Sequence, residues 1–163
     1  MARLTFLSHF VICLAVGSAA FFAALNNVPQ TIWADDLSHM TSVIALLFVG
    51  ASIYLGRQAW IADEAASAGL RPPSADFGHL AERLSVMAGF VGTAIGLSLQ
   101  ANALAGGSAS FTALATSLFT TACGGAAAAL LAVMTFNLEA GIRRAGTAKR
   151  RVLNWTAHAP SGS

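Results

Sequence analysis

The chain has 163 residues, of which 56% are apolar and only 10% charged, where an ordinary soluble domain carries about 25% charge. Mean hydropathy is +0.67. These values exclude a disordered chain, a disulfide scaffold and an ordinary soluble domain. A net charge of +2 does not call for nucleic acid as a partner.

A membrane helix needs roughly 20 mostly apolar residues. Four stretches meet or approach this: residues 4–25, 37–56, 84–104 and 112–138. The expected fold class is therefore all-α, an integral membrane protein with four transmembrane helices. A chain this short cannot close a barrel, and lipid satisfies no backbone group. The connections are residues 26–36, residues 57–83 and a tight turn at 105–111.

Span one is uncharged and rich in large side chains, among them Phe6, Leu7, Phe10, Phe21 and Phe22. A signal peptide is an alternative reading of residues 1–24: Arg3, an apolar run, then Gly17, Ser18, Ala19 and Ala20 as a small-residue cleavage region. Against it, the apolar run is longer than the usual 7–15 residues. Span two is also uncharged and carries Val43, Ile44, Leu46, Leu47 and Phe48. Residues 59–69 read as its helical continuation, and Pro72-Pro73 ends it, because proline cannot donate to a helix ladder. Ser74 or Asp76 is a candidate cap for the next helix. That helix runs through Glu82 and Arg83 into span three, and at about 43 Å for residues 76–104 it exceeds a bilayer core. Its first two turns are expected to stand in water.

Spans three and four are unlike the first two. Gly89, Gly92, Gly96 and Gln100 recur at helical spacing in span three, and Gly92-x-x-x-Gly96 lets backbones approach closely. Residues 120–129 of span four, which include Gly124 and Gly125, hold nothing larger than Thr or Cys. Its outer half carries Thr112, Thr116, Ser117, Thr120 and Thr121. At 100° per residue, Ser117, Thr121, Ala128, Ala132 and Thr135 form a stripe that Glu139 ends, five turns after Thr121. Such a stripe lines a narrow wet path or packs a partner helix. In a hairpin centred near Gly107, Thr93 and Thr121 each lie fourteen residues from the turn, so they share one depth, roughly 20 Å from it. Either they form a hydroxyl belt or each bonds back to its own i−4 carbonyl. Glu139 reads as a gate, or as an acid paired with Arg143 at i+4.

All nine basic residues fall on one side of a four-span layout: Arg3, Arg57, Arg71, Arg83, Arg143, Arg144, Lys149, Arg150 and Arg151. The opposite loops hold only Asp35 and Asp36. The termini and the 57–83 loop are expected in the cytoplasm. The arginines of the tail suit anionic lipid headgroups of the bilayer. No two histidines share ligand spacing with a Cys or an acid, so no metal or cofactor is expected. Cys13 and Cys123 read as inert thiols in separate spans. No nucleophile–base arrangement suggests an enzyme.

Gly92-Thr93-Ala94-Ile95-Gly96-Leu97 resembles the "G-T-hydrophobic-hydrophobic-G-L" signature of the MotA/TolQ/ExbB proton-channel family. Residues 115–124, followed by Phe136-Asn137, are similar to that family's last helix. The resemblance covers residues 83–139. It implies a homopentamer in the bacterial inner membrane, around an ExbD/TolR/MotB-like protein with one membrane helix and a membrane Asp. It further implies that protons drive motion of the assembly, with Thr93 and Thr121 as its pore threonines; Ser117, Thr116 and Glu139 are the further pathway candidates that the hydroxyl-rich face of span four offers. On this reading residues 1–56 form two outer helices, 57–83 a short loop, 84–138 a pore-lining hairpin and 139–163 a basic tail. The sequence departs from the family pattern at Thr116, where some members have Glu, and at Leu130, where most have Pro. Its cytoplasmic loop is far smaller than a flagellar stator's. The competing class is a structural or holin-like oligomer without proton coupling.

Overall fold

A computed structural model describes residues 4–26, 39–68, 73–106 and 111–157, without the side chains of 66, 67, 111–113, 116 and 148–157. These residues form four helices: α1 (Leu4–Leu25), α2 (Met40–Ala68), α3 (Asp76–Ala105) and α4 (Phe111–Ala157). All four are long and apolar enough to cross a membrane, so the chain is all-helical, as its composition implies.

Helix lengths follow the breakers. Nothing between Gly56 and Ala59 interrupts a helix, so span two and its expected continuation form the single 29-residue α2. The α3 helix begins soon after Pro72-Pro73 and runs for 30 residues. Neither expected side chain caps it. The cap position is Ala75, with no side-chain hydrogen bond; Ser74 stands one residue too early and Asp76 is already the first helical residue. There the Asp76 carboxylate instead opposes the positive end of the helix dipole. The expected fourth span is overrun: α4 has 47 residues, because no proline follows until Pro160.

The α4 helix is the centre of the bundle. It packs most extensively on α3, then on α2, and also touches α1, which lies at the edge against α2 and α4. A compact core at one end joins Ala51, Leu55, Ala59 and Ala62 of α2 to Ala81 of α3 and to Leu131, Met134 and Leu138 of α4. Alanines at helical spacing let α2 approach closely while Leu and Met fill the gap. The exterior is covered by large apolar side chains, such as Phe21, Phe22, Leu46, Ile53, Met87, Phe90 and Phe136. Patches on this scale suit hydrocarbon and not water.

The same end of the bundle carries the charged groups. The first amides of a helix lack intrahelical acceptors, and in α1 they are met by Asp63 of α2. Its carboxylate accepts from Phe6 N at 2.9 Å and Thr5 N at 3.4 Å, and the Phe6 ring sits edge-on to Trp60. Asn137 of α4 donates to the Thr5 carbonyl at 2.9 Å and accepts from Ser8 Oγ at 2.7 Å. Arg144 donates to Thr5 Oγ1 at 3.2 Å. Thr5 is fully buried, and Gly141 makes room for it: a Cβ there would lie 2.6 Å from Thr5 Oγ1. Replacing Gly141 with alanine should therefore loosen α1 and lower stability by about 1–3 kcal/mol, measured by thermal unfolding in detergent. An unchanged melting temperature would mean that α1 is not held through Thr5.

Deeper in α1, His9 is buried and its Nε2 lies 3.0 Å from the Ser52 carbonyl, in a notch opened by Gly56. Cys13 Sγ is 3.4 Å from the same nitrogen. Cys123 is also a free thiol and lines an apolar cleft of about 250 Å³ with Val16, Thr41 and Phe48.

Candidate functional site

The hairpin of α3 and α4 is joined through glycine. Gly89 and Gly124 face each other across the seam: a Cβ on Gly124 would lie 2.8 Å from Gly89 Cα and 2.7 Å from the Ser85 carbonyl oxygen. A Cβ on Gly89 would be 3.3 Å from the Cα atoms of Gly124 and Thr121. Gly92 receives the methyl of Thr120 and Gly96 receives the hydroxyl of Ser117. Farther along, Gly78 receives Thr135. Small hydroxyl side chains of α4 thus seat in glycine notches of α3. This is how helices pack where lipid supplies no hydrophobic drive between them.

Gly89, Gly92, Gly96 and Gly124 lie on this seam within the protomer. Gly125 does not: nothing lies within 4 Å of a Cβ placed on it. One residue is 100° of rotation, and that turns Gly125 away from α3 while Gly124 faces it.

Thr93 and Thr121 meet. Their hydroxyl oxygens are hydrogen-bonded to each other across the hairpin. Thr93 Oγ1 also lies 2.8 Å from the Ser117 carbonyl and 3.1 Å from its own i−4 carbonyl, Gly89. Thr121 Oγ1 is 3.4 Å from the Gly89 carbonyl. Each hydroxyl has one proton to donate. One assignment uses both well: Thr121 donates to Thr93, and Thr93 donates to the Ser117 carbonyl. Both lone pairs of Thr121 then remain as acceptors. Both residues are half-buried, so the pair is held by the hairpin yet reachable at its surface.

The stripe expected from the helical wheel is turned inward except at Ala132. Ser117 and Thr135 are buried against α3, whereas Ala132 is exposed. Thr120, which the wheel left off the stripe, is 1% exposed. The buried face of α4 is wider than that stripe and adds Thr120, Gly124, Leu131 and Leu138 to Ser117, Ala128 and Thr135, because rotation is set by the facing glycines. The side chain of Thr116 lies outside the described residues.

Glu139 closes this seam. It pairs with Arg143 at 3.5 Å, as the i+4 spacing suggests, and also with His79 of α3 at 2.9 Å. Arg143 in turn stands over the Phe136 ring. The His79 contact was not legible in the sequence, since the two residues are 60 apart. Asn137, noted only as part of a motif, turns out to tie down α1. Among the described residues, no group of three or more His, Cys, Asp or Glu side chains is placed to hold a metal ion.

Comparison with family models, with curated proteins and with solved structures finds no match for this chain. Its resemblance to the MotA/TolQ/ExbB proton channels stands on the two motifs quoted above.

Proposed function

We propose that this chain is the proton-channel subunit of a membrane motor, a homo-oligomer that uses the proton gradient to drive an ExbD/TolR/MotB-like partner. The observation that carries this reading is the bonded hydroxyl pair Thr93–Thr121, one residue from each of the two motifs. It sits within the uncharged segments 84–104 and 112–138 of the two helices, where an ionised side chain would be costly. A hydroxyl donates and accepts without carrying charge. The free lone pairs of Thr121 suit a protonated carboxyl on a partner, and rotation of a hydroxyl turns the pair into a donor for the ionised form. On this reading the hairpin faces the centre of a ring of five, with α1 and α2 outside. The charged end of the bundle, where nearly all described basic side chains lie, faces the cytoplasm of a bacterial inner membrane.

The test is the mass of the detergent-extracted complex, alone and co-expressed with a protein that has one membrane helix bearing an Asp. A pentamer that captures two copies of that protein is the expected result. A stable monomer at native mass in mild detergent would overturn the reading.

A second reading, a structural or holin-like oligomer without proton coupling, draws on a specific feature of the same site. Ser117 and Gly89 carbonyls accept from the two hydroxyls, and the glycine seam is accounted for by packing alone. Such a protein would form an oligomer without needing any Asp-bearing partner.

A further inference from the structure

The start of α3 and the far part of α4 meet outside the apolar segment 84–104. Asp76, His79, Glu82 and Arg83 fall in two turns of α3, and His79 reaches Glu139 of α4, which also holds Arg143. His79 stands between two carboxylates. Its Nε2 is 2.9 Å from Glu139 Oε1, on the other helix, and its Nδ1 is 3.6 Å from Glu82 Oε1, three residues along its own. That Glu82 oxygen is shielded from solvent and has no hydrogen-bond donor within range among the described residues. A carboxylate oxygen left so is costly, and the only imidazole nitrogen facing it is Nδ1.

A neutral imidazole carries one N–H and can donate to one side only. Serving both carboxylates requires protons on both nitrogens. We propose that His79, Glu82 and Glu139 form a proton-binding site that fastens α3 to α4: the imidazolium donates a hydrogen bond to Glu139 and stands as a cation beside Glu82, and loss of one proton to water removes that charge from between the two carboxylates.

The surroundings favour the charged form. The Glu139 hydrogen bond raises the His79 pKa above its ordinary 6.5 most strongly, slight burial opposes this, and Glu82 adds to the rise. Glu139 keeps Arg143 at 3.5 Å on its other oxygen, a second cation against the same carboxylate. Asp76 and Arg83, on the same helix as His79, are exposed. From α2, which packs on both helices, the groups at this level are Tyr54, against Phe77, and Leu55, beside Gly78; Arg57 is exposed. The sign follows from the raised value. The fastening is complete below the ordinary histidine range and is lost as pH rises through the raised pKa.

The site goes beyond the motor reading and does not need it: the proton comes from the water at the charged end, whichever side of a membrane that is. If that side is the cytoplasm, the seam between the two motif-bearing helices responds to cytoplasmic pH.

The experiment is a pH titration of histidine-labelled full-length protein in lipid nanodiscs by nuclear magnetic resonance, with His79→Gln used to assign the signal. The expected midpoint lies above 6.5 with both ring nitrogens protonated below it, and Glu139→Gln brings it down toward 6.5. Spin labels on the His79 turn and near Arg143 should show the two helices separating above the midpoint in the native protein. A midpoint at or below 6.5, or one that Glu139→Gln leaves unmoved, overturns the proposal. Should Glu139→Gln misfold, Glu82→Gln supplies the second shift, smaller and in the same direction. No proton flux is read, so failure here and failure of the motor reading are separate results.

Discussion

Valine at position 121 should leave the hairpin packed and the oligomer at its native mass, while proton-driven work stops. Valine keeps the shape of threonine and removes only the hydroxyl. Within the protomer little is lost, because Thr93 keeps the Ser117 carbonyl at 2.8 Å and its own Gly89 carbonyl at 3.1 Å. The variant therefore separates packing from chemistry more cleanly than Thr93→Val, which would leave Thr121 with one acceptor at 3.4 Å. An interhelical hydrogen bond in a membrane contributes about 1–2 kcal/mol in model peptides. That corresponds to a factor of about 5–30 per site, repeated around a ring. The measurement is proton flux in vesicles that hold subunit and partner, beside the mass of the complex. A Thr93→Val, Thr121→Val double variant that assembles and conducts normally would reduce both threonines to packing residues, and the structural oligomer would become the better reading.

Two adjacent glycines should respond in opposite directions to the same added methyl. Gly124→Ala places a Cβ 2.7 Å from the Ser85 carbonyl oxygen and 2.8 Å from Gly89 Cα. Both are backbone atoms, so relief requires the helices to move apart. The expected cost is about 1–3 kcal/mol. Separation of the helices also stretches the Thr93–Thr121 bond two turns or less away, so function should suffer with stability. Gly125→Ala meets nothing within 4 Å and replaces a poor helix former with the best, a gain of up to about 1 kcal/mol. Thermal unfolding of the two variants in detergent checks this. Equal destabilisation would show that the seam does not run through Gly124. A Gly125→Ala variant of unchanged protomer stability but altered complex mass would put Gly125 on a face between subunits.

Much of the architecture was readable from composition and spacing. Runs of about 20 apolar residues forced helices, and a fixed rise per residue put Thr93 and Thr121 opposite each other in the hairpin, where they are hydrogen-bonded; the expected turn at 105–111 and the break at Pro72 lie largely outside the described residues. A short hairpin leaves almost no freedom in axial register, so depth follows from counting. Rotation about the helix axis does not. The helical wheel put Ala132 on the hydroxyl stripe and left Thr120 off it, whereas the glycine notches of α3 bury Thr120 and leave Ala132 outside. Gly124 and Gly125 are the same residue, and only the facing backbone separates their roles.

Contacts between distant segments lay further out of reach. Asp63 at the start of α1, Asn137 on Thr5 and His79 on Glu139 join residues 57 to 132 apart in the chain. Each is a polar group at or near the end of an apolar span, which makes it available for pairing but does not name its partner. The sequence by itself determined which segments are helical, how long they can be and at what depth the hairpin residues lie, because these depend on local hydrogen bonding and on helix rise. Tertiary structure alone decided which face of α4 is buried, what caps α1 and which carboxylates hold His79, because those depend on how far each helix turns before its smallest side chains meet.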